Sequence, residues 1–271
     1  MTFRAAAKLK TMRISLVIPA WNEERLLPRL LGSVAQAKDR FRGGSENIEV
    51  IVADNNSNDR TKEIAEAAGC RVVHVAHRCI AAARNGGAKN ATGELLAFAD
   101  ADFSIAATTF DYIDEVMQQP GVIGGGTGLT MERWSLGIRA TYYAILPLLM
   151  MNGIDGGVWF CRQSDFEEVG GYDESVKAAE DVRFLRSLQR LGKSRTPREK
   201  LVTRFAARRF GLEPAMVINS ARKFDKHGDW HLFADALLTV PRMLLSAKVR
   251  DDYIDRYWYQ DRLNAEDEVP N

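Results

Sequence analysis

The sequence has few cysteines, no long apolar run and no excess of either charge. Its three cysteines, Cys70, Cys79 and Cys161, form no CxxC pair and are odd in number. This pattern favours reduced, buried thiols, as in a cytoplasmic protein, over a disulfide framework. The formal net charge is +1, which gives no electrostatic argument for a nucleic acid partner.

No uninterrupted apolar run reaches the roughly 18 residues that a membrane-spanning helix needs. The N-terminus, MTFRAAAKLKTMR, also lacks the apolar core of a signal peptide. Two shorter apolar stretches occur, YYAILPLLMM at 142–151 and LFADALLTVPRMLL at 232–245. Either they are buried in the core, or they dock at a membrane surface. We expect a cytoplasmic protein, which in the second case would be peripheral at the inner face of a membrane.

Hydrophobic residues make up 46% of the chain, enough for a sizeable core. Apolar runs predict strands at 14–20, 48–54, 70–76 and 95–99, and at 156–163 further along. The intervening segments have helical patterns; one of them, 57–69, has Ser57 as a candidate N-cap and Gly69 as its stop. Alternation of strands and helices predicts an α/β fold with a mostly parallel central sheet flanked by helices.

The chain shows no internal repeat and no low-complexity linker. Further helices are predicted at about 107–119, 133–150 and 180–192, and through most of the last seventy residues. We therefore predict an N-terminal extension at 1–12, one α/β domain at 13–211 and a helical C-terminal extension at 212–271.

Polar residues follow the predicted strands at the points where the strands end. These residues are Asn22 and Glu23 after the first strand, Asp54 and Asn56 at the second, and Asp100 and Asp102 after the fourth, with Arg84 on the intervening segment. Ligands of open α/β sheets bind at the carboxyl ends of the strands, so we expect these side chains along one rim. Two aspartates one residue apart repel each other unless a positive charge lies between them.

Five ordered segments carry a family resemblance: VIPAWNEE, VIVADNNSNDRT, AARNGGAKNATGELLAFADAD, GGVWFCRQSDFEEVGGYDE and AEDVRFLRSLQRLG. Over roughly residues 13–195 the chain resembles the family 2 glycosyltransferases, whose fold is called GT-A. The family's second motif is usually Asp-Asp-Gly-Ser, whereas this chain has Asp54-Asn55-Asn56-Ser57. The resemblance therefore implies a nucleotide-diphosphate sugar donor but leaves open whether its base is uridine or guanosine.

The resemblance also implies roles for individual residues. Asp54 would accept hydrogen bonds from the base or its sugar, in a pocket shaped by Pro19, Trp21 and Glu23. Asp100 would contact the ribose or the water shell of a metal ion, and Asp102 would bind that ion directly. Mn²⁺ or Mg²⁺ suits such oxygen ligands. The acceptor is an unknown hydroxyl compound, which is lipid-linked if the protein docks at a membrane.

Glu180 and Asp181 begin a predicted helix, where acidic residues favour the helix dipole whatever their function. The family resemblance implies a further role, with Asp181 as the catalytic base and Glu180 as the alternative. Arg208 and Arg209, in VTRFAARRFG, lie either near the donor phosphates or an anionic acceptor, or on a solvated basic surface.

Three other functions compete with that of an inverting, metal-dependent glycosyltransferase. A phosphohydrolase of the haloacid dehalogenase type also uses Asp-x-Asp, but it places the motif near the first strand. A nucleotidyltransferase would have a glycine-rich loop after the first strand, and PAWNEERL has no glycine. A catalytically silent nucleotide-sugar-binding domain stays open. His227 and His231, four residues apart, share a helix face but lack accompanying ligands, which predicts a surface pair.

Overall fold

The computed structural model describes residues 12–176 and 179–232. The predicted N-terminal extension, except its last residue, lies outside these ranges. So does the C-terminal segment 233–271, which includes nearly all of the apolar stretch 232–245. Within the described ranges, no helix combines the length and apolarity that crossing a bilayer requires.

The core of the fold is a seven-stranded sheet, with the strand order β3-β2-β1-β4-β8-β6-β9. Its strands are β1 (Ile14–Ala20), β2 (Ile48–Asp54), β3 (Arg71–His74), β4 (Leu95–Phe98), β6 (Val122–Gly126), β8 (Trp159–Arg162) and β9 (Lys200–Val202). Strands β1 to β4 run parallel to one another, whereas β8 runs antiparallel to both β4 and β6. The prediction of a mostly parallel α/β sheet is thereby confirmed.

Helices cover both faces of this sheet. They are α1 (Leu27–Arg40), α2 (Thr61–Ala67), α3 (Ile80–Lys89), α4 (Thr109–Met117), α5 (Leu136–Met151), α6 (Gln163–Glu168), α7 (Glu180–Ser194), α8 (Arg204–Arg209) and α9 (Arg222–His227). Because side chains alternate along a strand, Leu16 and Ile18 of β1 pack with α1 and α4, while Val17 packs with α3 and α7. Burial on both faces explains why β1 is apolar except for Ser15, whose buried hydroxyl donates to Glu49.

A second, small sheet lies beside the first and consists of β5 (Phe103–Ser104), β10 (Val217–Asn219) and β7 (Leu129–Met131), in the order β5-β10-β7. The pairing of Asn219 with Phe103 joins two segments more than a hundred residues apart. The sequence predicts helix through most of 202–271, but the described part of that stretch contains β10 and two short helices. Residues 217–219 therefore pair with strands of the predicted domain 13–211.

Helix α2 differs from its prediction at the start and agrees at the end. The predicted N-cap, Ser57, is wrong, because its hydroxyl accepts a hydrogen bond from the Asn22 amide and α2 begins only at Thr61. Asp59 accepts from the Thr61 amide instead. Gly69 follows the helix with φ of 74°, the left-handed conformation that favours glycine after a helix.

The three cysteines are unpaired, as expected for reduced thiols. Cys79 and Cys161 are buried, and Cys70 is half-buried.

Candidate active site

The parallel register brings the carboxyl ends of β1, β2 and β4 to one edge of the sheet. Ala20 is paired with Asp54, and Val17 with Phe98. Asp54 is the last residue of β2, and the loops that follow β1 and β4 contain Glu23 and the pair Asp100 and Asp102. These four carboxylates thus end or follow neighbouring strands and share one edge, because all three strands point the same way.

The loops after β1 and β2 are tied together by side-chain caps. The Asn58 amide donates to Asn22 Oδ1 at 3.1 Å, and the Glu23 amide donates to Thr61 Oγ1 at 2.8 Å. Asn22 and Asn56 have φ of 51° and 66°. Non-glycine residues rarely adopt this left-handed conformation, although asparagine tolerates it best. These hydrogen bonds hold the two turns together, and each turn contains one asparagine in a strained backbone conformation.

Asp54 ends β2 and is buried, while Asn56 beside it is exposed. The Asp54 carboxylate accepts from the Ser57 amide at 3.2 Å and lies 3.7 Å from His74 Nδ1. Pro19 is buried within β1, and Trp21 is buried under the Arg78 guanidinium, which lies 4.7 Å from its ring centroid. Asp54 is thus an anchored carboxylate at this edge, and the two apolar residues, one near the end of β1 and one just after it, are buried.

Asn55, which the sequence analysis did not single out, has a structural role in the same loop. Its amide group donates to the carbonyl oxygens of Val75 and His77, and its Oδ1 accepts from the Cys79 amide at 2.9 Å. Asn55 therefore fixes the chain between β3 and α3, which positions the helix that carries Arg84.

The Arg84 guanidinium connects the Asp-x-Asp segment to the Glu-Asp pair. Its Nη2 donates to Asp100 Oδ1 at 2.8 Å, and its Nη1 donates to Glu180 Oε1 at 2.6 Å. The guanidinium carbon lies 5.2 Å from the Tyr172 ring centroid and 5.6 Å from that of Trp159. Burial alone would lower the pKa of Arg84, but the carboxylates around it outweigh burial and raise it. Arg84 is therefore a permanent buried cation, and the positive charge beside Asp100 comes from the protein itself.

A second arginine, Arg222, contacts the other aspartate. Its Nη1 donates to Glu23 Oε2 at 3.0 Å, and its Nη2 donates to Asp102 Oδ2 at 3.3 Å. No sequence motif marks Arg222, which lies in NSARKFDK, 120 residues from Asp102. The pairing of β10 with β5 brings it there.

Asp181 lies in the first turn of α7, next to Glu180. Burial raises its pKa to about 6, and the negative charge of Glu180 adds to the rise while Arg84 opposes it. Its Oδ1 accepts from the Val182 amide at 2.7 Å. Ala179, just before the helix, has φ of 57°. A carboxyl group with a pKa near 6 is suited to exchange a proton near neutral pH.

The segment GGYDE is held against α3 by Asn85. The Asn85 side chain donates to the Tyr172 carbonyl at 2.9 Å and accepts from the Tyr172 amide at 2.8 Å. A groove of about 500 Å³ runs along α7 beside this segment. Its lining includes Gly171, Tyr172, Arg186 and Arg190. With Arg183 also in its lining and Asp173 as its one acidic residue, the groove carries a net positive charge.

In the motif VTRFAARRFG the buried arginine is Arg204, and not Arg208 or Arg209. Arg204 is buried and forms an ion pair with buried Asp155, at 2.6 Å from Nη2 to Oδ1. Its Nη1 also donates to the Tyr142 hydroxyl at 2.8 Å. Arg208 and Arg209 are exposed, and among the described residues no hydrogen bond or ion pair found joins them to the carboxylates at the sheet edge.

His227 and His231 lie near each other, with ring centroids 5.4 Å apart. His227 is exposed, and His231 Nδ1 lies 2.7 Å from the Gly228 carbonyl oxygen. In the ranges 12–176 and 179–232, no group of three or more His, Cys, Asp or Glu side chains forms a cage for a metal ion.

The Asp100 and Asp102 carboxylates nevertheless fit a divalent ion that arrives with a diphosphate. Their side chains are 34% and 18% exposed, so solvent reaches both. Mg²⁺ and similar ions are commonly held by one or two carboxylates together with substrate phosphates, without a complete protein cage. The donor set is all oxygen, which suits Mg²⁺ or Mn²⁺ and not a soft metal.

Comparisons with known proteins agree with this architecture. Residues 15–165, more than half of the chain, match the profile described as Glycosyl transferase family 2. The 4,4'-diaponeurosporenoate glycosyltransferase of Staphylococcus haemolyticus is 38% identical over 107 residues, which are 35% of this chain and 25% of that relative. The match thus spans a quarter of the relative's length.

Two solved structures share the fold. The mannosyltransferase PcManGT from Pyrobaculum calidifontis, in complex with GDP-Man and Mn²⁺, has a TM-score of 0.58 and 17% identity, covering 78% of this chain and 57% of that one. S. aureus TarS 1-349 in complex with UDP has a TM-score of 0.54 and 20% identity, covering 84% and 66%. At such identities the likeness shows the fold alone, which is GT-A. The family follows from the match over residues 15–165: this chain belongs to glycosyl transferase family 2.

Proposed function

We propose that this protein is a metal-dependent inverting glycosyltransferase, which moves a sugar from a nucleotide-diphosphate sugar to a hydroxyl acceptor. One observation carries the proposal: buried Arg84 binds Asp100 and Glu180 at once. It thereby brings the Asp-x-Asp segment and the Glu-Asp pair, which are distant in sequence, to one place. The two motifs serve opposite sides of a sugar transfer, so their proximity is what the reaction needs.

On the donor side, Asp54 would bind the base or ribose in a pocket shaped by Pro19 and Trp21, with Asn22, Glu23 and Asn56 in the surrounding turns. Asp102, with Asp100, would hold Mn²⁺ or Mg²⁺. Such an ion, when bound, stabilises the negative charge that develops on the departing nucleoside diphosphate. For Arg209, contact with the donor phosphates stays a prediction.

On the acceptor side, Asp181 would remove the proton from the attacking hydroxyl oxygen. That oxygen forms the new bond to the anomeric carbon while the bond to the diphosphate breaks on the opposite face. A pKa of about 6 leaves Asp181 ionised at neutral pH and still basic enough to accept a proton. Glu180 is bound to Arg84, so it is the weaker candidate for the base and the stronger one for holding Arg84.

The proposal is tested by incubating the protein with UDP, GDP and TDP sugars and Mn²⁺ and measuring released nucleoside diphosphate. A thermal shift screen with the same nucleotides identifies the base, because a ligand at 100 times its Kd stabilises the protein by roughly 2.7 kcal/mol. Binding without any turnover would favour a silent nucleotide-sugar-binding domain. Release of inorganic phosphate from phosphate monoesters, with no nucleotide binding, would favour a phosphohydrolase.

We also propose that the acceptor is lipid-linked and that the protein docks at a membrane surface to reach it. The support is an apolar surface on and around α5, where Leu136 is 77% exposed, Tyr143 63% and Trp230 52%. Burial in the core therefore does not account for the exposed part of the stretch 142–151. Trp230 packs beside Gly137 of α5, which makes the surface continuous.

Flotation with vesicles that contain anionic lipid tests this docking. We expect the protein to float with the vesicles and Leu136→Glu combined with Tyr143→Glu to stay behind. Ala67→Glu, at an exposed position on α2, is the matched control and should float like the unmodified protein. If the unmodified protein stays with the soluble fraction, the lipid-linked acceptor loses its support.

A further inference from the structure

The Arg222 guanidinium contacts the Asp102 carboxylate, which is the group proposed to bind the metal ion. Its guanidinium binds Glu23 through both nitrogens, at 3.0 Å and 3.5 Å, and reaches Asp102 Oδ2 at 3.3 Å. The Glu23 side chain is 2% exposed, that of Asp102 18% and that of Arg222 34%. Glu23 is thus the fixed anchor of Arg222, and Asp102 is its more accessible and more weakly bound partner.

The fold holds this contact in place from both sides. Asp102 immediately precedes β5, and Arg222 follows β10 by three positions. The two strands pair through Asn219 and Phe103. Ala221 beside Arg222 is fully buried, and its amide donates to Glu132 Oε1 at 2.7 Å. The pairing of β10 with β5 and the packing at the start of α9 therefore hold the Arg222 guanidinium beside Asp102.

The charges around Arg222 keep it protonated at any pH the protein experiences. Burial would lower its pKa, but Glu23 and Asp102 outweigh burial and raise it, with a further contribution from Asp100. A divalent ion on Asp102 would lie beside this fixed positive charge and be repelled by it. A diphosphate group carries enough negative charge to neutralise the ion and the guanidinium together.

We propose that Arg222 makes metal binding conditional on the donor's diphosphate. In the donor-free protein Arg222 neutralises Asp102 and opposes binding of a free Mn²⁺ or Mg²⁺ ion. When the ion arrives with a nucleoside diphosphate, Arg222 stays bound to Glu23 and directs its charge to the diphosphate. The inference rests on the proposed function, since it concerns the same metal and donor.

Thermodynamic linkage gives the proposal a measurable form. If the diphosphate strengthens metal binding by a given factor, the metal strengthens diphosphate binding by the same factor. Loss of the Arg222 charge removes its repulsion of the ion and its attraction for the diphosphate, so the two affinities should change in opposite directions. The metal alone should bind more tightly, whereas the nucleoside diphosphate in the presence of metal should bind more weakly. A merely structural arginine would not produce this pair of changes.

The test is a Mn²⁺ titration of the unmodified protein and of Arg222→Gln, followed by electron paramagnetic resonance, with and without UDP or GDP. We expect UDP or GDP to tighten Mn²⁺ binding by about 5–150-fold in the unmodified protein, the usual range of coupling between sites. In Arg222→Gln we expect tighter binding of Mn²⁺ alone and a coupling factor well below that of the unmodified protein, the remainder coming from direct ligation of the ion by the phosphates. Uridine and guanosine, which lack the diphosphate, should produce no coupling in either protein.

Arg133→Gln is the matched control, because Arg133 is a half-exposed arginine that pairs with Asp225 of α9 and with Asp229 but contacts no carboxylate of the site. It should titrate like the unmodified protein. Arg222→Lys keeps the charge and should retain most of the coupling. Arg222→Met, which also removes the charge, repeats the test if Arg222→Gln fails to fold.

The possible failures are distinguishable. If the unmodified protein binds neither Mn²⁺ nor any nucleoside diphosphate, the proposed function itself fails. If it binds both, but Arg222→Gln binds Mn²⁺ alone no more tightly and keeps its coupling to UDP or GDP, the role assigned to Arg222 is overturned. Equal loss of coupling in Arg222→Lys and Arg133→Gln would also overturn it, since the effect would then not follow the charge beside Asp102.

Discussion

Arg84 and Arg222 have similar partners but differ in their surroundings. Each binds one aspartate of the Asp-x-Asp segment and one glutamate from another element. The Arg84 side chain is 2% exposed and makes contacts of 2.6 Å and 2.8 Å, whereas that of Arg222 is 34% exposed and contacts Asp102 at 3.3 Å. Arg84 thus forms buried structural ion pairs, whereas Arg222 makes a solvent-accessible contact with Asp102 that a ligand can replace.

The difference follows from what surrounds each guanidinium. Arg84 lies on α3, against the Tyr172 ring and near the Trp159 ring, so water cannot replace its carboxylate partners. Arg222 begins a short helix, and solvent reaches its side chain. Breaking a buried pair leaves an uncompensated charge, whereas water compensates a broken contact at the surface. We therefore assign Arg84 to holding the site together and Arg222 to binding that changes during the reaction cycle.

The largest expected effects come from mutations on the Arg222 side and the Arg84 side, which should disable nucleotide binding and turnover, respectively. Asp102→Ala, on the Arg222 side, should abolish Mn²⁺-dependent nucleoside diphosphate binding while the protein stays folded. Asp181→Asn, on the Arg84 side, should leave nucleotide affinity unchanged and cut turnover by roughly 10²–10⁴-fold, the contribution of a positioned base. Isothermal titration with UDP or GDP and a steady-state assay measure the two effects.

Two outcomes would contradict this assignment. Tight metal-dependent nucleotide binding by Asp102→Ala would mean that another group holds the ion. Near-normal turnover of Asp181→Asn together with an inactive Glu180→Gln would move the base to Glu180, and normal turnover of both would rule out an inverting base at this position.

The next effect compares the two arginines directly by stability. Arg84→Met should lower the free energy of unfolding by about 3–5 kcal/mol, because Asp100 and Glu180 lose their buried partner. Arg222→Met should lower it by about 1 kcal/mol or less, as expected for a contact that solvent reaches. Urea unfolding followed by circular dichroism measures both. If both variants lose the same free energy of unfolding, the distinction between a structural Arg84 and an exchangeable Arg222 contact is wrong.

The pH dependence of Asp181 sharpens the description of the Arg84 side. As a base with a pKa of about 6, Asp181 should make kcat/KM rise with pH and level off above that value. Stability should change in the opposite direction. Between the unfolded pKa of roughly 4 and the folded value, the folded state binds more protons, so the free energy of unfolding falls as pH rises.

Asp181→Asn should remove this loss of stability. At pH 7.5 we expect the variant to be more stable than the unmodified protein by about 1–3 kcal/mol, the larger figure being the full pKa shift and the smaller one allowing for solvent screening. At pH 4, where Asp181 is protonated in the folded state and about half protonated in the unfolded state, the difference should shrink to about 0.5 kcal/mol or less. Thermal melts at the two pH values measure it, and an equal gain at both would mean that the charge of Asp181 is not its cause.

The sequence predicted the strands at the sheet edge of the site better than the side-chain contacts between the loops, and the reason is physical. The bounds of β1 and β2 were predicted correctly, since each strand is a short apolar run with polar residues after it. Such a pattern is local. Arg222 could not be found in this way, because only the pairing of β10 with β5 brings it to Asp102. Ser57 was misassigned as a cap for the same reason: its hydroxyl bonds to Asn22, across two loops.

The smallest expected effect concerns the strained turn before the acidic pair. Ala179 has φ of 57° and is exposed. An L-residue in this left-handed conformation costs roughly 1–2 kcal/mol, and glycine avoids that cost. Glycine also gains entropy in the unfolded chain, so Ala179→Gly should raise the free energy of unfolding by only about 0.5–1 kcal/mol. Turnover should fall nonetheless, because Glu180 and Asp181 would be held less rigidly.

Ala67→Gly, at the exposed end of α2, is the control and should destabilise by about 0.5–1 kcal/mol. If Ala179→Gly destabilises to the same extent, the turn stores no strain, and the position of the acidic pair depends on Arg84 alone.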